Sequence, residues 1–189
     1  TVYAYIAGRR EGVRRFWANI PPAALTAAGT GSSFATIPLN LQAADRIGVP
    51  REISELVIPI GATIHMEGSA LGAILKIAFL FGVFQIPIEG FETIVTAIGI
   101  AVLSGTVVSG IPGGGLTGEI LILNMYGFPP EALPIMTMIG TIIDAPATLV
   151  NAVGDNVATM LLARITGGRN WLQGQKAQPV PAEEVPVEV

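Results

Sequence analysis

Glu67, Glu119, Asp144 and Asp155 lie within or beside stretches that are otherwise apolar enough to sit inside a bilayer. A carboxylate at that depth costs several kcal/mol unless it is paired, protonated or bound to a cation. Each is therefore a functional candidate by default. Glu67 and Asp155 adjoin chain-breaking sequence, in His65-Met66-Glu67-Gly68-Ser69 and Asn151-Ala152-Val153-Gly154-Asp155. Glu119 follows Ser109-Gly110-Ile111-Pro112-Gly113-Gly114-Gly115. A membrane protein that carries ions or polar solutes has a use for that combination.

The chain is 51% hydrophobic and 13% charged, with mean hydropathy +0.62, whereas soluble domains average about 25% charged. Its bases are segregated. Arg9, Arg10, Arg14, Arg15, Arg46, Arg51, Arg164, Arg169 and Lys176 all fall between apolar segments, and Lys76 is the exception. The loops near residues 87–91 and 126–131 carry Glu89 and Glu131 but no base. The positive-inside rule then places the basic loops in the cytoplasm and the other pair outside. With no cysteine, a disulfide framework and a thiolate nucleophile are both excluded. A net charge of −4 without a broad basic face argues against nucleic acid as a partner. The basic run at residues 9–15 reads as a cytoplasmic anchor. The opening Thr1-Val2-Tyr3-Ala4-Tyr5-Ile6 has no charged n-region and is not a signal peptide. It reads as the tail of a helix whose beginning is absent, so a fragment is expected.

Residues 16–41 are interrupted by Pro21-Pro22 and by Gly29-Thr30-Gly31-Ser32-Ser33. Each arm falls short of the roughly 20 helical residues needed to cross a bilayer, so a hairpin that enters and returns is expected. Its tip must be buried in protein or border water, because open backbone cannot face lipid. Residues 53–84 can cross once but are divided at Gly68; residues 91–125 are divided at 110–115 into a second hairpin; residues 134–165 are long enough to span and contain Pro146 and Gly154. The expected organisation runs in six parts. Residues 1–15 form the end of a truncated transmembrane helix and a basic loop, and 16–49 a hairpin. A broken helix covers 50–87, a second hairpin 88–127, a polar-centred helix 128–166, and a disordered cytoplasmic tail 167–189. The fold class is thus an all-α membrane protein, an inverted repeat of two re-entrant helical hairpins and two interrupted transmembrane helices. Paired interrupted segments in two halves point to a secondary transporter with its site at the repeat interface.

The two Gly-rich tips offer uncovered backbone groups, and a helix starting just after such a turn favours an anion. Each tip alone fits a tight turn equally well; both at opposite ends of an inverted pair favour binding. A dinucleotide loop is rejected, because the flanks of residues 110–115 have membrane hydropathy rather than a strand before and a second acidic strand after. Asp144, Thr148, Asn151 and Asp155 follow spacing four, three, four and share one helix face. That stripe suits an amine or hydroxyl partner at Asp144 and a cation at Asp155, since hard cations prefer oxygen donors. Polar glue between helices is the alternative, and two carboxylates are a heavy cost for glue. If the second segment unwinds at its break, freed carbonyls of Gly61, Thr63 and His65 become cation ligands, while Glu67 supplies charge or carries a proton. His65 can titrate near neutrality, though a structural role is the commoner one for a lone histidine. Lys76 and Glu119 are read as neutralising each other.

These residues resemble the C-terminal half of the dicarboxylate/amino acid:cation symporter family, the glutamate and neutral amino acid transporters. The resemblance runs from about residue 16 to 172. Ser32-Ser33-Phe34-Ala35-Thr36-Ile37-Pro38 is similar to the family's serine-rich tip, and residues 61–69 to its Asn-Met-Asp-Gly-Thr break. Gly110-Ile111-Pro112-Gly113-Gly114-Gly115 is similar to the second tip, and 144–155 to the site helix. The resemblance implies substrate contacts at Ser32, Ser33, Ser69, Ile111, Gly115, Asp144, Thr148 and Asn151, with Asp144 on the amino group. Sodium ligands are implied at Asn151 and Asp155 with carbonyls of Gly61 and His65, and at a second site with carbonyls of Thr63, Thr106 and Val108. Glu67 belongs to the same cation-binding group.

Acidic-substrate members of the family place an Arg three residues after the Asp; here that position is Ala147, and an alternative Arg in the first tip is Gly31. Without a guanidinium for a side-chain carboxylate, a small neutral amino acid fits better. His65 and Glu67 replace the break's Asn and Asp, which leaves room for proton coupling, and Pro146 is expected to reshape the pocket. The expected function is uptake of a small, neutral amino acid coupled to sodium or protons by alternating access, in the plasma (inner) membrane with the C-terminus cytoplasmic. No cofactor beyond the coupling ions is expected, and the implied assembly is a homotrimer. A dicarboxylate or acidic amino acid symporter, a ligand-binding membrane protein that moves nothing, and an inactive fragment are the alternatives. An enzyme is not expected, since no nucleophile–base pair stands at plausible spacing.

Overall fold

The structure, a computed structural model, describes residues 1–108 and 114–173. The described residues form eight helices and no strand: α1 (Val2–Asn19), α2 (Pro21–Thr30), α3 (Ser33–Ile47), α4 (Arg51–Ile64), α5 (Glu67–Val83), α6 (Gly90–Val108), α7 (Gly114–Tyr126) and α8 (Ala132–Gly167). The all-helical expectation holds, and most boundaries follow from local chemistry. Pro21 and Pro22 open α2, where a missing N–H does no harm. Gly31 (φ +61°) closes it in the left-handed region, and the Ser32 hydroxyl caps α3 by accepting from the Ala35 N–H at 3.2 Å. That turn is the first hairpin tip. The second tip, residues 109–113, lies outside the described residues, as does the chain beyond 173.

The break expected in the second segment is present. His65 (φ −88°, ψ 85°) and Met66 (φ −120°, ψ 35°) leave the helical region between α4 and α5. The last segment is the expected polar-centred helix and not an interrupted one: α8 is a single helix of 36 residues that runs through Pro146 and Gly154. A proline removes one backbone donor, and Pro146, itself exposed, does so without ending α8. The basic run is also not a loop. Residues 9–15 lie in α1, which consists of two helical pieces meeting at Gly8 and Arg9. Glu11 accepts from Arg14 and from Arg15 one turn on, and hydrogen bonds from those two guanidiniums lower its carboxyl to about 2. The stretch assigned to the tail begins with ordered structure too. Trp171 and Leu172 are buried, and the Trp171 indole N–H donates to the Ala7 carbonyl at 2.8 Å.

Two apolar cores share α8. One gathers Phe16, Ile20, Ala44, Ile47, Ile58 and Met160 with Trp171 and Leu172, from α1 to α4 and the C-terminal part of α8. The other gathers Ile77, Leu80, Phe81, Ile100, Ile122, Phe128 and Met136, from α5 to α7 and the N-terminal part of α8. The middle of α8, with Asp144 to Asn151, contributes to neither. A polar layer therefore lies between two greasy ends. Three segments are long and apolar enough to cross a bilayer: Arg51–Val83 counted through its break, Gly90–Val108 and Ala132–Gly167. Large side chains such as Leu25, Ile64, Phe91, Ile142 and Ile165 point outward, as they do in a protein whose surroundings are apolar.

The approach of α5 to α8 depends on Gly68, where an added Cβ would overlap the Ala147 carbonyl. Gly68→Val is expected to lower stability by about 1–3 kcal/mol or more, as overpacking against fixed backbone does. The thermal midpoint in detergent checks this, with Gly99→Ala as control because no atom lies within 4 Å of its added Cβ. An unchanged midpoint for Gly68→Val would contradict the packing.

Candidate functional site

The helix face predicted from spacing is real, and its four members have different surroundings. Thr148, Asn151 and Asp155 are buried, while Asp144 is exposed. An ideal Cβ on Gly31 would come within 3.0 Å of the Asp144 carboxylate, so the first tip and Asp144 stand side by side. Asn151 ties α8 to the break between α4 and α5. Its Oδ1 accepts from the Gly68 N–H at 2.7 Å, and its Nδ2 donates to Ser69 Oγ at 3.1 Å and to Met66 Sδ at 3.4 Å. Gly68 is near the start of α5, where backbone N–H groups have no partner inside the helix. The Asn151 amide satisfies one of them.

One turn further along α8, Asp155 is 1% exposed. Its Oδ1 faces His65 Nδ1 at 3.1 Å, and its Oδ2 is buried with no hydrogen-bond partner among the described residues. His65 Nε2 meets Glu67 on its other side, so both ring nitrogens face carboxylates. An imidazole that donates from both nitrogens is the protonated form. Room for this cluster comes from two glycines: a Cβ at Gly61 would overlap Asp155, and one at Gly154 would overlap His65. His65 is half-buried and Glu67 exposed, so the cluster opens outward at Glu67. The Gly61 carbonyl accepts from the His65 N–H at 2.8 Å and keeps a second lone pair free for another contact.

A cavity of about 50 Å³ lies between α5, α6, α7 and α8. Of the residues expected to bind substrate or cation, Ser69, Gly115, Val108 and Asp144 line it, with Ala147 beside them. That volume holds about one or two waters, so a larger guest requires the surrounding helices to part. Ser32, Ser33, Thr148 and Asn151 are not in its wall. Ser33 is buried at the first tip, and Ser32 is occupied as the cap of α3. Thr63 and Thr106 hydroxyls donate to carbonyls of their own helices, Ile60 at 2.6 Å and Leu103 at 2.7 Å. Ile111 lies outside the described residues. The structure thus brings together two groups, Ser69–Asp144–Gly115–Val108 and Gly61–His65–Glu67–Asp155, with Asn151 between them.

Lys76 and Glu119 do pair, Nζ to Oε1 at 2.5 Å, with side chains 13% and 5% exposed. Thr137 Oγ1 donates to the other Glu119 oxygen at 2.8 Å. Sequence reasoning missed Thr137, although it lies seven residues before Asp144 and so continues the α8 stripe by two turns. It also missed Asn40 and Asn156, both fully buried. Asn156 Nδ2 donates to Asn40 Oδ1 and Asn40 Nδ2 to the Ala152 carbonyl, each at 2.8 Å, joining α3 to α8. The available signal was an amide inside membrane-grade sequence, which needs a partner for the same reason a carboxylate does.

The profile described as the sodium:dicarboxylate symporter family matches residues 1–165. The chain is similar to excitatory amino acid transporter 2 of Mus musculus, 33% identical over 153 residues that make up 80% of this chain and 27% of that protein. The same transporter of Homo sapiens is 32% identical over 153 residues, 80% and 26% of the two chains. The neutral amino acid transporter B(0) of Homo sapiens is 31% identical over 159 residues, 84% and 29%. The chain spans less than a third of the length of these relatives, which are transporters and not enzymes.

Removing one member of a buried ion pair leaves the other uncompensated, a loss of about 3–5 kcal/mol, whereas apolar replacement of both is often neutral. Lys76→Met alone is therefore expected to destabilise strongly, and the double variant Lys76→Met/Glu119→Leu to melt near the wild type. Thermal unfolding in detergent of both variants checks this. A double variant as unstable as the single one would show that the two charges do not compensate each other.

Proposed function

The chain belongs to the sodium:dicarboxylate symporter family, and we propose that the protein carrying it is a secondary active symporter of a small neutral amino acid. Sodium entry drives uptake by alternating access. The observation that carries this reading is Asp155, a carboxylate almost wholly buried with one oxygen unpartnered among the described residues. A buried charge with open coordination is costly unless a cation visits it. Asn151 Oδ1 and the Gly61 carbonyl each accept one hydrogen bond and keep a spare lone pair, and the His65 carbonyl stands at the end of α4, where helix geometry leaves carbonyls without an intrahelical partner. These four make up the first cation site. Thr63, Thr106 and Val108 carbonyls make up the second, with Glu67 adding charge nearby.

In the same reading Asp144 takes the substrate ammonium beside the first tip. Ser32, Ser33, Ser69, Thr148 and Asn151 supply further polar contacts, and Ile111 and Gly115 close from the second tip. The relatives' names include both an excitatory and a neutral amino acid transporter, so substrate choice rests on this chain's own residues. Ala147 and Gly31 leave no guanidinium in either place where the family resemblance would put one. A neutral substrate fits that environment. The multi-pass protein would sit in the plasma (inner) membrane with its C-terminus cytoplasmic, as a homotrimer.

One observation favours a second coupling ion. His65, held between Asp155 and Glu67, already puts a donor where a cation would stand. Sodium entry then requires the ring to lose its proton or swing away, and a proton is the alternative coupling ion.

Uptake of labelled alanine, serine and asparagine into proteoliposomes reconstituted with the protein carrying this chain tests the reading. Asp144→Asn is expected to weaken substrate binding about ten- to hundredfold, the equivalent of a lost charged hydrogen bond. Asp155→Asn is expected to remove the sodium dependence. His65→Asn separates the ions: sodium-driven uptake persists if sodium alone couples, and pH-gradient-driven uptake disappears if protons do. Absence of uptake under either gradient would overturn the proposal.

A further inference from the structure

We propose that the buried Lys76–Glu119 pair is the side-chain subsite of the site described above, selecting an uncharged carboxamide side chain over both acidic and aliphatic ones. The inference rests on the proposed transport of an amino acid whose ammonium is held by Asp144. Its basis is placement. Lys76, Glu119, Asp144 and Ala147 line one cavity. Gly140 marks the level of the pair on α8, since a Cβ there would stand 2.6 Å from Glu119 Oε1 and 3.1 Å from Lys76 Nζ. Asp144 is four residues further, about 6 Å along the helix axis at 1.5 Å per residue. An amino acid with its ammonium on Asp144 and its side chain directed along α8 reaches the pair with the head of an asparagine or glutamine. Alanine stops short of it.

The chemistry of the pair narrows the class. An ammonium has three N–H donors, and Lys76 gives one to Glu119, with no other partner among the described residues. Glu119 accepts one bond at each oxygen, from Lys76 and from Thr137, and each oxygen retains a lone pair. A carboxamide can accept from Lys76 and donate to Glu119 without disturbing the ion pair. A carboxylate side chain would compete with Glu119 for Lys76 and leave one of two buried acids unpaired; an amine side chain would do the same to Lys76. Both signs are disfavoured by the same pair. Ala147 lines the same cavity on the far side of Asp144 with only a methyl group, and Gly140 lets the pair lie against the α8 backbone.

Beside the pair, Ile122 both lines the cavity and belongs to the apolar cluster of α5 to α7 and the N-terminal part of α8. An ion pair serving only to join helices has no need to open on a cavity.

Competition by asparagine, glutamine, alanine and aspartate against labelled asparagine, in proteoliposomes of the protein carrying this chain, tests the subsite. In the wild type asparagine or glutamine should outcompete both alanine and aspartate. Glu119→Gln keeps one acceptor oxygen for Lys76, turns its NH2 towards Thr137 and removes the competing charge, so the aspartate-to-asparagine ratio should rise about tenfold or more. Lys76→Met/Glu119→Leu should lower the asparagine-to-alanine ratio by about tenfold, and guards against failure of the single variant to fold. Aspartate preferred by the wild type, or ratios unchanged in the variants while uptake continues, would overturn the subsite and leave the transport proposal standing. Loss of all uptake in a double variant that still melts like the wild type would also overturn it, assigning the pair to the transport cycle. No uptake of any amino acid by the wild type would instead sink the underlying function.

Discussion

Between α4 and α5 the backbone opens at His65 and Met66 inside an apolar layer, and the contact of that opening with α8 holds the site together. Interrupted helix ends expose donors and acceptors that lipid cannot satisfy. Asn151 takes the Gly68 N–H, and Asp155 takes the His65 ring. Close approach is possible because Gly61, Gly68 and Gly154 carry no side chain where the two segments meet. The groups that make the break tolerable are the same ones proposed to meet the cation. On that proposal, an arriving cation would share the Asp155 carboxylate with His65 or displace it.

The continuity of α8 gives that contact its reach. A single long helix joins two apolar cores, and the polar residues lie where neither core needs them. Asn40 and Asn156 fix α3 to the C-terminal side of the polar layer, while Thr137, Glu119 and Lys76 form a neutralised cluster on the other side. Between these anchors the cavity beside Asp144 is narrow.

Most of the plan was legible in residue order. The Pro21–Pro22 start, the Gly31–Ser32 tip, the break at His65 and the stripe from Asp144 to Asp155 all follow from local backbone rules or from helix periodicity. These need only neighbours within a few residues. Less legible were features in which a distant partner overrides a local signal. The arginine run looked like a loop and is helical, with Ala4, Ala7, Gly12 and Phe16 of the same helix buried against distant parts of the chain. Trp171 sits in a polar, glycine-containing stretch and is buried because the Ala7 carbonyl awaits its N–H.

Sequence alone determined that this chain is helical, built for a bilayer, interrupted in its apolar segments and provided with carboxylates that need partners. Hydropathy, periodicity and turn chemistry are properties of short segments and survive without the fold. Tertiary structure alone decided the surroundings of the other carboxylates: His65 rather than a second helix for Asp155 and an open cavity wall for Asp144, while the Lys76–Glu119 pairing expected from sequence gained Thr137 as a third member. Those pairings span 43 to 90 residues of chain. They depend on how closely helices can approach at glycine positions, a three-dimensional property that composition and spacing do not encode.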